Sequence, residues 1–263
     1  MRKDFERAHL TTRGPVAVLT MNHPEALNAS SAKMVRGLTT ALDEIEKEDS
    51  GFRAVILTGE GRGFCSGANL AEPPERSGAG VNNMLDQVFH PFLRRLRDLR
   101  LPLVTAVNGA AAGIGMSIAL MGDIVLAARS AYFLQAFARI GLIPDGGSTW
   151  LLPRLVGLAR AKELSLLADK LPAERALEWG MIARVCDDAA LIDEAMKIAT
   201  KFAEGPSAAL VATRKLFFQS LDNSYEEQLE AERDAQERAS RTHDFREGVA
   251  AFLQKRPAKF EGR

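Results

Sequence analysis

The chain has 263 residues, 46% of them hydrophobic and 26% charged, with 34 basic side chains against 34 acidic ones. That size and balance describe one large globular unit, or one with a small appendage, and exclude a disordered, collagenous or disulfide-stapled chain. Zero formal charge lacks the footprint of a dedicated nucleic-acid binder, and two cysteines, Cys65 and Cys186, are too few for a disulfide framework and suit a reducing cytoplasm.

The opening residues from Met1 to Arg7 carry charges with no apolar stretch behind them, so no signal peptide is expected. Residues 16–20, 54–58, 103–107 and 124–127 are short apolar runs bounded by Gly, Pro or Asn and predict buried strands. Between the first two, Met34, Val35, Leu38, Leu42 and Ile45 recur at helical spacing opposite Asp43, Glu44 and Lys47. Strands alternating with helices predict an α/β fold. Residues 71–80, rich in helix breakers, predict a mobile loop, followed by a helix around Met84 to Phe92. Residues 101–122 carry no charge over nearly a bilayer's length, but Pro102, Asn108, Gly109, Gly113 and Gly115 break them into strand, turn and short helix, so no membrane span is expected. After about residue 171 strand signals nearly vanish, apart from residues 182–186, and the chain reads as helical. Residues 224–241 are crowded with Glu, Arg and Gln, which suits a helix exposed or packed on another subunit. Phe245, Val249 and Phe252 then give a last helix an apolar face.

Two segments share a design in which a buried strand runs into a small-residue turn and then a helix: residues 55–70 and residues 104–117. Small residues allow close approach to the backbone, and the first amides of a helix have no internal partner, so such turns cradle anions. Tight packing alone would also explain the glycines. Gly113-Ile-Gly115 lacks the third glycine of a dinucleotide fingerprint, no phosphate-loop Lys is present, and Gly63-Phe-Cys-Ser-Gly67 matches a nucleophile elbow only loosely. Cys65 reads as a packing residue rather than a nucleophile. His9, His23, His90 and His243 are scattered without ligand spacing, and no metal is expected. In residues 140–150, Pro144-Asp145-Gly146-Gly147 is a turn, and Asp145 either caps the helix that begins near Ser148 or acts as a base. With Leu142, Ile143 and Trp150 around it, its carboxylate would be partly desolvated and suited to proton transfer near neutral pH.

These residues resemble the crotonase superfamily of enoyl-CoA hydratases and isomerases across essentially the whole chain. The resemblance is carried by residues 22–28, the block from Leu57 to Leu70, residues 106–109 with 112–115, Gly122-Asp123, and residues 141–144. It implies a spiral of ββα units over residues 1–195 and a helical C-terminal trimerisation region over 196–263 within the same fold unit, assembled as a trimer or hexamer. It also implies that the Ala68 and Ile114 amides form an oxyanion hole for an acyl-CoA thioester. Coenzyme A would run past Ala26, Leu27, Ser66 and Ala68, with Lys255 of a neighbouring subunit reaching its phosphates; it is part of the substrate, and no separate cofactor is implied. The two catalytic glutamates of the hydratases correspond to Ser117 and Phe137 here. Asp145 matches instead the catalytic aspartate of the family's dienoyl-CoA isomerases and of its ring-epoxide isomerase of phenylacetate breakdown. The resemblance thus favours an isomerase over a hydratase, or over a covalent route through Asp145. Some members bind RNA, for which Arg94, Arg95, Arg97 and Arg100 are the candidate comb; a solvated or subunit-facing helix is the plainer reading, and neither nucleic acid nor membrane is expected as a partner.

Overall fold

A computed structural model describes residues 2–72 and 84–263. The chain opens with β1 (Arg2–Phe5), β2 (Ala8–Arg13) and β3 (Val16–Met21), an antiparallel meander. Helix α1 (Ala32–Ile45) follows, started by Ser31, whose hydroxyl accepts from the Met34 amide. Its Met34, Leu38, Leu42 and Ile45 are buried at the predicted spacing.

From there the chain repeats one move. β4 (Ala54–Gly59), β6 (Leu103–Val107) and β8 (Ile124–Ala128) add in parallel to a sheet that runs β1-β2-β3-β4-β6-β8 and ends on a seventh strand, Arg184–Cys186. The strand after each, β5 (Gly63–Cys65), β7 (Ala110–Ala112) and β9 (Tyr132–Leu134), joins a four-stranded sheet ordered β10-β9-β7-β5. A helical segment then closes each pair. These are a π-helical turn (Leu85–Phe89) leading into α2 (His90–Arg97), then α3 (Ile114–Ala119), then a short turn with α4 (Ser148–Val156) and α5 (Leu158–Leu167). This is the spiral of ββα units that the resemblance implied. Val18, Ile56, Val104 and Ile124 lie in register across the large sheet. Every residue of β3, β4 and β6 is buried, as expected for parallel strands covered on both faces.

The chain then adds β10 (Leu171–Pro172), α6 (Ala173–Glu178) and β11 (Arg184–Cys186) before turning helical. Helix α7 (Leu191–Glu204) packs across the large sheet through Leu191, Ala195, Ala199 and Ala203, so one continuous helix passes through residue 195. Helices α8 (Ser207–Ser220), α9 (Tyr225–Ser240) and α10 (His243–Gln254) complete the fold. A capping box between Ser224 and Glu227 starts the polar α9.

Buried Arg214 ties α8 to the sheet. It donates to the Leu101 carbonyl at 3.3 Å, to that of Leu99, and to the Asp123 carboxylate at 3.0 Å. Burial pushes Asp123 up, and the facing guanidinium only partly offsets that. Arg214→Ala would leave this mostly buried carboxylate without its counter-charge, held only by the Leu103 amide at 2.8 Å, with an expected loss of about 2–3 kcal/mol. Thermal unfolding should show a lowered Tm, partly recovered when Asp123→Asn removes the stranded charge.

Two expectations change. The β1–β2 hairpin was not foreseen, because β1 is an edge strand with mostly exposed polar side chains and no apolar alternation. The helix expected at the end of residues 55–70 is not there: residues 66–72 are non-helical, and Ala68 instead makes a parallel bridge with Ser30. The loop expected over residues 71–80 lies outside the described residues from 73 onward. Residues 101–122 resolve into β6, β7 and α3, and no helix among the described residues is long and apolar enough to cross a membrane.

Candidate active site

Asn28 and Asn108 build the scaffold of the site. Buried Asn28 accepts from the His23 amide at 2.8 Å and donates to the Glu60 and Gly63 carbonyls at 2.9 and 2.7 Å. Asn108 accepts from the Gly59 amide and donates to the Gly61 carbonyl at 2.8 Å. Together they clamp the β4–β5 turn from both sides and hold the segment that follows.

In that segment Ser30 donates to the Gly67 carbonyl at 2.7 Å and accepts from the Asn69 amide at 2.8 Å. Both bonds use the neighbours of Ala68, so the peptide groups of Ala68 itself face away from the bridge. Across the cavity, Gly113 takes a φ of +51°, open to glycine but costly for other residues, and turns β7 into α3 with Ile114 as its first residue. A first-turn amide has no partner inside its helix. Among the described residues, neither the Ala68 nor the Ile114 amide has a hydrogen-bond acceptor.

Ala68, Ile114 and Asp145 line one cavity of about 500 Å³. Its walls include Met84, Leu85, Phe89, Phe137, Ile140 and Leu142, so the two free donors and Asp145 stand in a mainly apolar chamber. Burial raises the Asp145 carboxyl to about 6, against a smaller opposing effect of the nearby His90 side chain. Its Oδ1 is buried and has no partner among the described residues. Glu72, the other carboxylate on the cavity wall, is a different group. Burial works to raise it, but hydrogen bonds from Lys33, at 3.1 Å, and from Arg7 outweigh this and hold it below the usual range.

The alternative role for Asp145, helix capping, is corrected. Gly147 occupies the cap position of α4, and no side chain caps it. Trp150 is also displaced from its expected place beside Asp145. It stacks on Phe218 with ring centres 6.3 Å apart, under Arg154, and faces a neighbouring cavity. Ile143 is 83% exposed, so the desolvation comes from the cavity walls rather than from Ile143 or Trp150.

The other foreseen residues fall in separate places. Ser66 lines the cavity and is held by Leu27 and Ala26, its amide donating to the Leu27 carbonyl at 3.0 Å and its hydroxyl to that of Ala26 at 3.1 Å. Ala26 and Leu27 themselves do not line the cavity. Lys255 is exposed at the end of α10 and does not line the cavity of its own chain. Cys65 is fully buried, and burial lifts its thiol to about 11, which disqualifies it as a nucleophile. Of the arginine comb, Arg95 pairs with Asp43 and Glu46, Arg97 with Asp98, and Arg100 with Glu46. The positions equivalent to the hydratase glutamates hold Ser117, buried beside Ser148 with oxygens 2.8 Å apart, and Phe137 on the cavity wall. Sequence reasoning missed Gln135 and Ser148, polar groups buried beneath the Asp145 turn that carry no motif.

The chain is similar to known proteins along nearly all of its length. The pattern of the enoyl-CoA hydratase/isomerase family matches residues 11–263. The 1,2-epoxyphenylacetyl-CoA isomerase of Escherichia coli (strain K12) is 45% identical over 94% of this chain and 95% of its own. A protein of Rhodobacter capsulatus named a probable enoyl-CoA hydratase is 44% identical, over the same shares of the two chains. The crystal structure of an enoyl-CoA hydratase from Polaromonas sp. JS666 superposes with a TM-score of 0.87 at 32% identity, covering 97% of this chain and 99% of that one.

Proposed function

This chain belongs to the enoyl-CoA hydratase/isomerase family, and from that premise we propose that it is an acyl-CoA isomerase working through a thioester enolate, with Asp145 as its single proton carrier. The observation that carries this reading is the raised Asp145 carboxylate, unpaired among the described residues, in one cavity with two unused amides. A β,γ-unsaturated thioester would place its carbonyl oxygen between the Ala68 and Ile114 N–H groups. The Asp145 carboxylate would take the C2 proton, the C2–H electrons would flow to the thioester oxygen, and the amides would stabilise the resulting enolate. As the carbonyl re-forms, the double bond moves to C2–C3 and the same carboxyl returns its proton at C4. One group with a pKa near neutrality suffices for both transfers.

Hydration makes a further demand, because it needs one group to activate water and another to manage the C2 proton. Among the described residues the other carboxylate on the cavity wall is Glu72, which is neutralised by Arg7 and Lys33. A ring-epoxide thioester is a second candidate substrate, favoured by the similarity to the 1,2-epoxyphenylacetyl-CoA isomerase and by aromatic walls at Phe89 and Phe137. For the assembly we propose a homotrimer or hexamer, supported by an apolar surface on α10 where Phe252 and Leu253 are 83% and 73% exposed. In it, Lys255 of one subunit would serve the coenzyme A of the next.

The pH profile tests the reading. The base works only when deprotonated, so kcat/KM for a β,γ-unsaturated acyl-CoA, followed as conjugated product forms, should fall as the pH drops through about 6. An acidic limb near 4, the range of an ordinary carboxylate, would overturn the assignment.

A further inference from the structure

The Asp145 carboxylate accepts no hydrogen bond among the described residues, so its side chain cannot aim it, and its position must come from the backbone of its turn. Three buried polar side chains lie under that turn. Gln135, fully buried, donates from Nε2 to the Ser148 hydroxyl at 3.2 Å and to the Met116 sulfur at 3.3 Å, which uses both amide hydrogens. The Ser148 and Ser117 oxygens are 2.8 Å apart, and the Ser117 hydroxyl donates to the Asp145 carbonyl at 3.4 Å.

The direction of this chain is fixed at both ends. An amide nitrogen can only donate and a carbonyl can only accept, so each serine hydroxyl passes its one hydrogen toward Asp145. Ser117 also lies three residues after Ile114 on α3, on the same helical face, so the helix that presents the oxyanion amide also carries the prop for the acid. At Gly146 the fit is tight: an added Cβ would come within 2.6 Å of Ile114 Cδ1 and 2.8 Å of Ser117 Oγ. Turn and helix are thus pressed together as well as hydrogen-bonded.

We propose that Ser117, Ser148 and Gln135 are positioning residues that hold the Asp145 turn at a set distance from the Ile114 amide. The proposal rests on Asp145 being the proton carrier. One turn of α3 then acts as the ruler between the group that moves the proton and a group that holds the enolate. A misplacement of about 1 Å at a reacting group can cost on the order of 100-fold in rate.

The test uses the full chain with trans-3-hexenoyl-CoA and compares Ser117→Ala, Ser148→Thr, Ser148→Val and Asp145→Asn, with a Tm for each. Thr and Val match in volume and differ in the hydroxyl, so their comparison reads the hydrogen bond even where the alanine protein folds poorly. Ser117→Ala and Ser148→Val are expected to lower kcat by roughly 10- to 100-fold with KM nearly unchanged. Ser148→Thr should keep most of the rate, and Ser117→Ala should cost nothing further in an Asp145→Asn background. Wild-type kcat in Ser117→Ala and Ser148→Val beside an inactive Asp145→Asn would overturn the positioning role and leave the base standing. An equal further loss in the Asp145→Asn background would reduce the serines to general packing. Full activity of Asp145→Asn would remove the base and this inference with it.

Discussion

Asp145→Asn is expected to lower kcat for double-bond migration by about 10²- to 10⁴-fold, the range of a positioned acid–base group, with KM changed little. Asn has nearly the shape of Asp but cannot take up the C2 proton, and the Ala68 and Ile114 amides proposed to hold the thioester are untouched. The same substitution should affect stability in the opposite sense. The Asp145 carboxyl titrates at about 6 in the folded chain against an ordinary 3.8. The folded state therefore holds its proton more tightly than the unfolded state, and this group's contribution is most favourable below about 4 and is eroded as pH rises through about 6. Complete burial would set the erosion at about 3 kcal/mol. Asp145 is half-buried, so screening reduces this to about 1–2 kcal/mol. Asp145→Asn should then raise the Tm at pH 7 and leave it nearly unchanged at pH 4. A protein that loses activity while gaining stability at neutral pH is the signature of a carboxylate kept for its chemistry.

The second large effect is expected from Ile114→Pro. Proline is tolerated as the first residue of a helix, where its missing N–H would have had no helical partner. Ile114 holds that position in α3, and Gly113 before it is outside the helical region that a following proline disfavours. The substitution therefore deletes one of the two proposed oxyanion donors while leaving the helix able to form, and kcat should fall by about 10²- to 10³-fold. It also removes an isoleucine side chain that lies close to Gly146. Ile114→Val, which keeps the N–H and most of the apolar volume, is the control and should stay within a few-fold of the starting rate. Steady-state kinetics on both proteins separates the donor from the packing: equal rates would show that the Ile114 amide carries no developing charge.

How far the fold could be read in advance follows from burial. Strands β3, β4, β6 and β8 are covered on both faces, so each is an apolar run that stands out against its Gly, Pro and Asn boundaries. The strands of the second sheet are only two or three residues long, too short for any period to register. They form because the spiral brings them side by side. β1 is held by pairing with β2 along a sheet edge, which leaves its polar side chains in water and its sequence looking like a tail. After Cys65 a helix was expected from the small residues, but Ser30 captures both neighbours of Ala68 in a bridge, a partner thirty-eight residues away that local propensity cannot weigh.

The site divides along the same line. The residue types were legible: two glycine-rich turns, one acid on a Pro-Asp-Gly-Gly turn, and, by the resemblance, Ser117 and Phe137 where a hydratase would have its two glutamates. A turn of that composition forms whether its aspartate caps a helix or carries a proton, because the local backbone is the same in both cases. Which role Asp145 takes depends on what surrounds its carboxylate, and that is set by Phe89 and Ile114, contributed by two other ββα units, with Phe137 from its own. Desolvation and amide convergence are properties of distance through space. The chain order encodes them only through the packing that sends Trp150 outward to Phe218 and leaves Asp145 facing the cavity.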